Sequence, residues 1–203
     1  MKVLLSYAAP FPALSWYLHL LQQHTEAVTI DILDRYRKMS YRNRYYVTGA
    51  QGRQMLSIPL EQGRNQRIPL KDVRTDSAVK WQLQHWRTLE TNYRSTPFFE
   101  YTAPAFEPLY LKRYSFLHDF NFESMEAVQG LLKLPVTFKE SIATEIEQAG
   151  NDIIDIRDSF SHRQPVGNII PPEYHQVFSS RCGFQEDLSI LDYIFNEGLR
   201  LQV

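Results

Sequence analysis

The stretch KVLLSYAAPFPALSWYLHLLQQHTEAVTIDI, residues 2–32, decides the fold. Its opening, Lys2–Ala8, is a short apolar run before two prolines, which predicts a buried strand followed by a turn. Leucine and tyrosine then recur at helical spacing, and Ala27–Ile32 is typical of a second strand. Such a strand-helix-strand unit pairs its strands in parallel through a right-handed connection. We therefore expect the loop Ala8–Ala13 at the carboxyl edge of the sheet, where open α/β sheets bind ligands.

The rest of the chain predicts a hairpin and a largely helical middle. Arg44–Thr48 and Gln54–Ile58 flank a glycine-bounded turn, as antiparallel strands do. Further elements follow from periodicity and end signals: a helix ending before Pro97, a helical region over about 105–132, a strand at Val136–Phe138, an irregular loop over 150–174, and a last helix capped by Asp187 and stopped by Gly198. The sequence thus predicts one α/β domain over residues 1–203, with a partly parallel central sheet, an antiparallel hairpin and a helical middle.

Composition excludes several classes of protein. With 43% apolar and 22% charged residues the chain has the make-up of a globular protein and not of a disordered one. The one cysteine, Cys182, excludes an intramolecular disulfide and a cysteine-cluster metal site, and it fits a reducing cytoplasm. No apolar run approaches the roughly 18 residues of a membrane span. We expect a cytoplasmic protein without a signal peptide or transmembrane segment.

Charge is distributed unevenly although the net charge is only −1. Residues 31–80 carry a surplus of six positive charges, whereas residues 81–203 carry a surplus of seven negative charges. Within the basic part, Arg42 and Arg44 would point to the same face of an extended segment and could grip a diphosphate or carboxylate. The alternatives are structural arginines that bridge to the acidic half. No RNA-binding motif accompanies them, so we expect an anionic small molecule such as a nucleotide sugar and no nucleic acid.

Two groups of polar residues are candidates for chemistry. Trp81 and His85 lie one helical turn apart, so an imidazole base could act beside an aromatic platform, although a buried core histidine explains the pattern as well. Ser189, Asp192 and Asn196 follow one stripe of the last helix, where Asp192 could orient His85 or bind a sugar hydroxyl. Ordinary helix polarity is the alternative. No metal site is expected, because neither H-E-x-x-H nor D-x-D occurs.

The order and spacing of several short motifs resemble the WbqC-like proteins of bacterial surface-polysaccharide loci. The motifs are Pro10-Phe11-Pro12, Trp16-Tyr17, Tyr41-Arg42-Asn43-Arg44, Ile58-Pro59-Leu60, Lys71-Asp72-Val73, Trp81 with His85, Tyr93 with Pro97-Phe98-Phe99, Gln176-Val177-Phe178, Phe184 and Leu188-Ser189-Ile190-Leu191-Asp192 with Asn196 and Gly198. The family's opening carries Gln-Pro where this chain has Ala9-Pro10.

This resemblance implies a role in lipopolysaccharide or O-antigen assembly. The chain is then expected to be a transferase acting on an activated, nucleotide-linked sugar, or a non-catalytic ligand-binding or assembly protein of the same pathway. Whether it is an enzyme, its cofactor and its oligomeric state stay open. The predicted catalytic residues are His85 and Asp192, and the predicted ligand-binding residues are Pro10, Arg42, Asn43, Arg44, Trp81, Ser189 and Asn196. We expect Arg42, Arg44, His85 and Asp192 to converge on the cleft beside the loop Ala8–Ala13.

Overall fold

The computed structural model describes residues 2–63, 67–142, 152–159 and 169–201. The strands are β1 (Lys2–Ser6), β2 (Ala27–Asp31), β3 (Arg44–Gly49), β4 (Gly52–Ser57), β5 (Thr137–Ser141) and β6 (Asp152–Asp155). The helices are α1 (Leu14–Gln22), α2 (Trp81–Tyr93), α3 (Phe99–Leu111), α4 (Leu117–Leu132), α5 (Ser179–Cys182) and α6 (Ile190–Glu197). Short 3-10 turns occur at Tyr41–Asn43 and Leu70–Asp72.

A parallel four-stranded sheet with the order β5-β2-β1-β6 forms the base of the fold. Leu4 on β1 pairs with Val28 on β2 on one side and with Ile154 on β6 on the other. β1 and β2 are therefore the central strands, and the α/β fold with its parallel sheet and antiparallel hairpin is confirmed. Because β6 lies on the opposite side of β1 from β2, the direction of the connections reverses at β1, and such a reversal opens a crevice at the carboxyl ends of the strands.

One strand of this sheet lies where the sequence predicts a loop. β6 occupies Asp152–Asp155, inside the stretch 150–174, and the loop prediction is wrong there. Only two apolar residues, Ile153 and Ile154, stand between aspartates, which is too short a run to indicate a strand by itself. Pairing with β1 supplies the missing stabilisation. The parts of that stretch at 150–151 and 160–168 lie outside the described residues.

The hairpin β3–β4 and the helices form a second layer with an aromatic core. The strands pair antiparallel from Arg44 opposite Ser57 to Gly49 opposite Gly52, where a φ of +98° at Gly52 suits a glycine. Phe11, from the loop after β1, packs its ring against four other aromatic rings: Tyr45, Phe106, Tyr110 and Phe120. Burial of such a ring stabilises the fold by about 1.5–3 kcal/mol, so this cluster fastens the loop to the helical layer.

The helical middle differs from prediction in its boundaries. The helical region expected over about 105–132, with its beginning at Phe98–Tyr101, consists of two helices, of which α3 begins at Phe99 and α4 ends at Leu132. Pro104 and Pro108 lie inside α3, on its exposed face. Among the residues that the structure describes, none of the helices has the length and apolarity needed to cross a bilayer.

Candidate functional site

The loop Ala8–Ala13 follows β1 and is buried along its whole length. The backbone amide of Phe11 donates to Ser124 Oγ at 3.2 Å, and the Phe11 carbonyl accepts from Ser189 Oγ at 2.9 Å. These contacts hold Phe11 at a φ of +42°. Beside the loop is a narrow pocket with room for about one water molecule. Its lining residues are Ser6, Tyr7, Ala9, Pro12, Ala13, Trp16 and Tyr41. Pro10 is buried next to this lining.

The C-terminal segment caps the helix that starts after this loop. Asp187 accepts hydrogen bonds from the backbone amide and the hydroxyl of Ser15, both at 2.9 Å. The alanine at the N-cap position of α1 has no side chain that could do so. The prediction that Asp187 caps the last helix is wrong, because Ser189 accepts from the Leu191 amide and caps α6. Ser189 therefore stabilises both a helix end and the loop after β1.

Arg42 lies at the carboxyl end of β1 and is neutralised there. The side-chain amide of Asn121 donates to the carbonyls of both Ala8 and Arg42, at 2.9 and 2.7 Å, which fixes the two segments side by side. Arg42 Nε donates to Asp34 Oδ2 at 2.7 Å, with both side chains buried. Its guanidinium also stacks 3.7 Å from the ring centre of Tyr7, and burial raises the pKa of that tyrosine well above its usual value.

Asn43 joins this segment to the hairpin. Its side-chain oxygen accepts from the Tyr36 hydroxyl at 3.2 Å, and its side-chain amide donates to the Ile58 carbonyl at 3.0 Å. The backbone here is a 3-10 turn and not the extended segment expected from the sequence, since Ser40 caps it by accepting from the Arg42 amide. Arg42 and Arg44 consequently have separate surroundings.

Arg44 is buried without a carboxylate partner in the part of the chain that the structure describes. Its relative exposure is 3%, no acidic oxygen of the described residues lies within 4.0 Å of its guanidinium, and its buried Nε has no hydrogen-bond acceptor there. Nη1 lies 3.8 Å from the sulfur of Met39 and 3.6 Å from that of Met55. These thioethers are weak acceptors, and both methionine side chains are about half exposed. The Arg44 guanidinium is thus separated from solvent mainly by the side chains of Met39 and Met55.

His85 belongs to a buried hydrogen-bonded chain. Its Nδ1 lies 3.1 Å from the Tyr45 hydroxyl, which in turn lies 2.9 Å from the Tyr110 hydroxyl. Burial lowers the pKa of His85 from 6.5 to about 4, although a hydrogen bond with the Ser57 backbone acts in the opposite direction. Trp81 packs edge-on against the imidazole at 5.2 Å between ring centres. The histidine is therefore a neutral imidazole at physiological pH.

Asp192 is buried and fully hydrogen-bonded. One carboxylate oxygen accepts from the amide and hydroxyl of Thr48 and from the Tyr93 hydroxyl, and the other accepts from the Tyr174 hydroxyl at 2.7 Å. Burial raises the pKa of Asp192, and these hydrogen bonds act against that rise. Asn196 donates to the Asp192 carbonyl at 2.7 Å and accepts from the Val177 amide at 3.2 Å.

The structure brings some of the predicted residues together and separates others. Asn121 joins the Arg42 backbone to the loop after β1, Asn43 and Arg44 follow Arg42 in the chain, and Ser189 contacts that loop directly. His85 meets the hairpin through Tyr45, whereas Asp192 meets it through Thr48, three residues further along β3. Side chains three apart on a strand point to opposite faces. Asp192 thus does not orient His85 through a direct hydrogen bond.

A charged bridge that the sequence did not indicate lies over the end of β1. Arg157 contacts Asp31, the last residue of β2, and Asp155, the last residue of β6. Because β2 and β6 flank β1, the guanidinium spans the carboxyl end of β1. Burial works against ionisation of Asp155, but its hydrogen bonds with Arg157 lower its pKa overall. An acidic residue directly after each strand's apolar run was the available signal.

Within the described ranges, no three histidine, cysteine or acidic side chains are grouped so that they could hold a metal ion.

Comparison with known proteins places the chain in a family. Residues 10–166, about three quarters of the chain, match the WbqC-like protein family. An "Uncharacterized protein Rv1507c" of Mycobacterium tuberculosis is 28% identical over 96 residues, a match that covers 47% of this chain and 41% of that protein. The matched region thus spans about two fifths of the relative's length. No solved structure matches. The chain belongs to the WbqC-like protein family.

Proposed function

We propose that this protein binds an anionic, nucleotide-linked sugar and transfers a group to or from it in bacterial surface-polysaccharide biosynthesis. The observation that carries the proposal is Arg44, a buried guanidinium for which the described residues supply no negative partner. Family membership supports the pathway, and the position of the residues around Arg42 beside the loop after β1 supports the location. Open α/β sheets bind their ligands at this edge.

The energetics favour a ligand at Arg44. An unpaired buried cation costs several kcal/mol of folding free energy, so a protein that keeps one has an unmet electrostatic requirement. Arg42 illustrates the contrast, because Asp34 satisfies it inside the protein. A phosphate would offer Arg44 two acceptor oxygens in the planar geometry that a guanidinium matches. Met39 and Met55 contact Arg44 only through weak acceptors, and their flexible side chains can move aside for that group.

In this proposal Arg44 holds the bound donor and the other predicted residues support the fold around it, with His85 behind β3 because Arg44 and Tyr45 are adjacent on that strand and point to opposite faces. Pro10 and Ser189 shape the loop after β1, and Arg42 and Asn43 set the position of Arg44. Trp81 is buried and packs against His85, so it holds the imidazole in place, and Asn196 holds the backbone of Asp192. His85 is neutral at physiological pH, but burial makes it a weak base, so in the transferase its role would be to position the Tyr45 and Tyr110 hydroxyls through their hydrogen-bonded chain.

A second candidate is a non-catalytic ligand-binding or assembly protein of the same pathway. The observation that favours it is the burial of His85 and Asp192, whose polar atoms are occupied by hydrogen bonds within the protein. A group that acts on substrate must reach the reacting atoms. The two candidates share the anion site at Arg44 and differ only in turnover.

The test begins with calorimetric titration of a panel of nucleotide sugars, nucleoside diphosphates and free sugars at low salt. We expect binding of the diphosphate-containing compounds, weakened at high salt because the screening length falls from about 8 Å at 0.15 M to about 3 Å at 1 M. Arg44→Lys should bind nearly as poorly as Arg44→Ala, since lysine lacks the planar fork. Arg87→Lys, on an exposed arginine of α2, is the matched control.

The results distinguish a transferase from a non-catalytic binding or assembly protein. The proposal is contradicted if the affinity for the diphosphate-containing compounds changes neither with salt nor with the Arg44 substitutions. If binding is found, consumption of the bound donor in the presence of cell-envelope glycan acceptors, lost in His85→Gln, supports the transferase. Binding without consumption supports the assembly protein.

A further inference from the structure

An apolar stripe runs along the exposed face of α3. Tyr101 and Leu111 are 79% and 75% exposed, and Pro104 and Pro108 are exposed between them. Spacings of three and four residues align these four side chains on one side of the helix. The opposite side of α3 is buried and carries Phe99, Thr102, Ala103, Phe106, Leu109 and Tyr110. A large tyrosine and a leucine exposed in line are typical of an interaction surface rather than of scattered surface residues.

A groove adjoins the C-terminal end of this stripe. It has a volume of about 280 Å³ and lies between the start of α2 and the end of α3, and Leu111 forms part of its lining together with Val79 and Leu83. Both of those side chains are partly exposed. The groove is wide enough to receive an aromatic ring, and its apolar side chains give that ring something to pack against.

The two ends of α3 carry opposite charges. Glu100 lies in the first turn, whereas Lys112 and Arg113 follow the last residue of the helix, and all three are exposed. Lys112 already contacts Glu123 of its own chain. The order of side chains along the stripe is nearly the same from either end of the helix. Tyr101 and Leu111 lie near its two ends, and Pro104 and Pro108 lie on either side of its centre. Such a surface is complementary to itself when one copy is reversed.

We propose that a second copy of this chain binds to the stripe, with the two α3 helices antiparallel about a twofold axis near their midpoint. In that arrangement Tyr101 of one copy lies level with Leu111 of the other and enters the groove beside it. The two prolines at 104 and 108 face each other, and Glu100 lies level with Lys112 and Arg113. The proline rings lose no side-chain freedom on contact, which lowers the entropic cost of association.

The size of this surface sets the expected affinity. A 13-residue helix is about 20 Å long, so two copies that meet along α3 share a short contact, smaller than the roughly 1,600 Å² of a standard interface. We therefore expect a reversible dimer that dissociates in the micromolar range. The inference does not rest on the proposed anion site, because α3 contributes none of the residues that contact Arg44.

The test is sedimentation-velocity measurement of the full chain from low to high micromolar concentration. The wild type should shift from monomer to dimer, and Tyr101→Glu should stay monomeric at every concentration while melting at the wild-type temperature. Leu111→Asn is a milder second variant that should raise the dissociation constant at least tenfold. Glu90→Lys, an exposed change on α2, is the control and should dimerise like the wild type.

A charge exchange tests the orientation. Glu100→Lys and Arg113→Glu should each weaken the dimer, because each places like charges level across the axis, and an equimolar mixture of the two should restore it. A wild type that remains monomeric overturns the proposal and leaves the stripe to another partner. A dimer indifferent to Tyr101→Glu places the interface elsewhere, and a mixture no tighter than its components excludes the antiparallel arrangement.

Discussion

Buried His85 should make the stability of the protein depend on pH. Burial lowers its pKa from 6.5 to about 4 in the folded chain, while in the unfolded chain the ring returns to its ordinary value. The unfolded state therefore takes up a proton first as the pH falls. The contribution of His85 to the free energy of unfolding is complete above pH 6.5, declines below that pH and is lost below about pH 4.

The size of the effect follows from this difference in pKa. A difference of about 2.5 pKa units corresponds to about 3 kcal/mol over the whole range, at roughly 1.4 kcal/mol per unit. Between pH 7 and pH 5, His85 becomes largely protonated in the unfolded chain but not in the folded one. The free energy of unfolding therefore falls by about 2 kcal/mol over this range.

Urea unfolding at pH 7 and pH 5, for the wild type and His85→Gln, measures this contribution. Glutamine keeps a donor for the Ser57 backbone and an acceptor for Tyr45 but does not titrate. Subtracting its pH dependence from that of the wild type should leave about 2 kcal/mol, because other titrating groups are common to both proteins. His24→Gln, on an exposed histidine, is the control. A wild type that loses no more stability than His85→Gln refutes the reasoning.

Three further changes should destabilise the fold, each measured by urea unfolding at pH 7. Arg42→Met leaves Asp34 buried without its partner and should cost about 3–5 kcal/mol, and a loss below about 1 kcal/mol would show that the pair is not truly buried. Asp187→Ala removes the cap from the Ser15 amide and should cost about 1–3 kcal/mol; Asp187→Asn, which keeps one acceptor and tolerates the φ of +46°, should cost less. Phe11→Ala empties the centre of the aromatic cluster and should cost about 3–5 kcal/mol, while an unchanged midpoint would contradict the packing.

Local pattern was sufficient for most of the fold. The run Lys2–Ser6, the helical spacing after Ala13 and the run Ala27–Asp31 each carry their own periodicity, so the parallel β1–α1–β2 unit could be predicted. β6 could not be, because its two isoleucines form a strand only beside β1. The cap of α1 could not be predicted either, because Asp187 lies 172 residues from Ser15.

The candidate site was harder to predict than the fold, because partners decide what a charged residue does. Arg42 and Arg44 look alike in the sequence, yet Asp34 neutralises the first and the described residues offer the second only methionine sulfurs. Spacing placed Trp81 beside His85 correctly, as ring contact confirms. It could not reveal that Tyr45, and not Asp192, would be the hydrogen-bond partner of the imidazole.

The central claim, an anion site at Arg44, is tested most directly by one paired comparison of the wild type with Arg44→Met. Methionine fills a similar volume without the charge, so the variant should unfold at equal or higher urea concentration, as expected when an unpaired buried cation is removed. Calorimetric titration of the same two samples with a nucleotide sugar should show at least a tenfold loss of affinity in the variant. If Arg44→Met instead binds the nucleotide sugar as tightly as the wild type, or unfolds several kcal/mol more easily, then Arg44 stabilises the fold and is not the anion site.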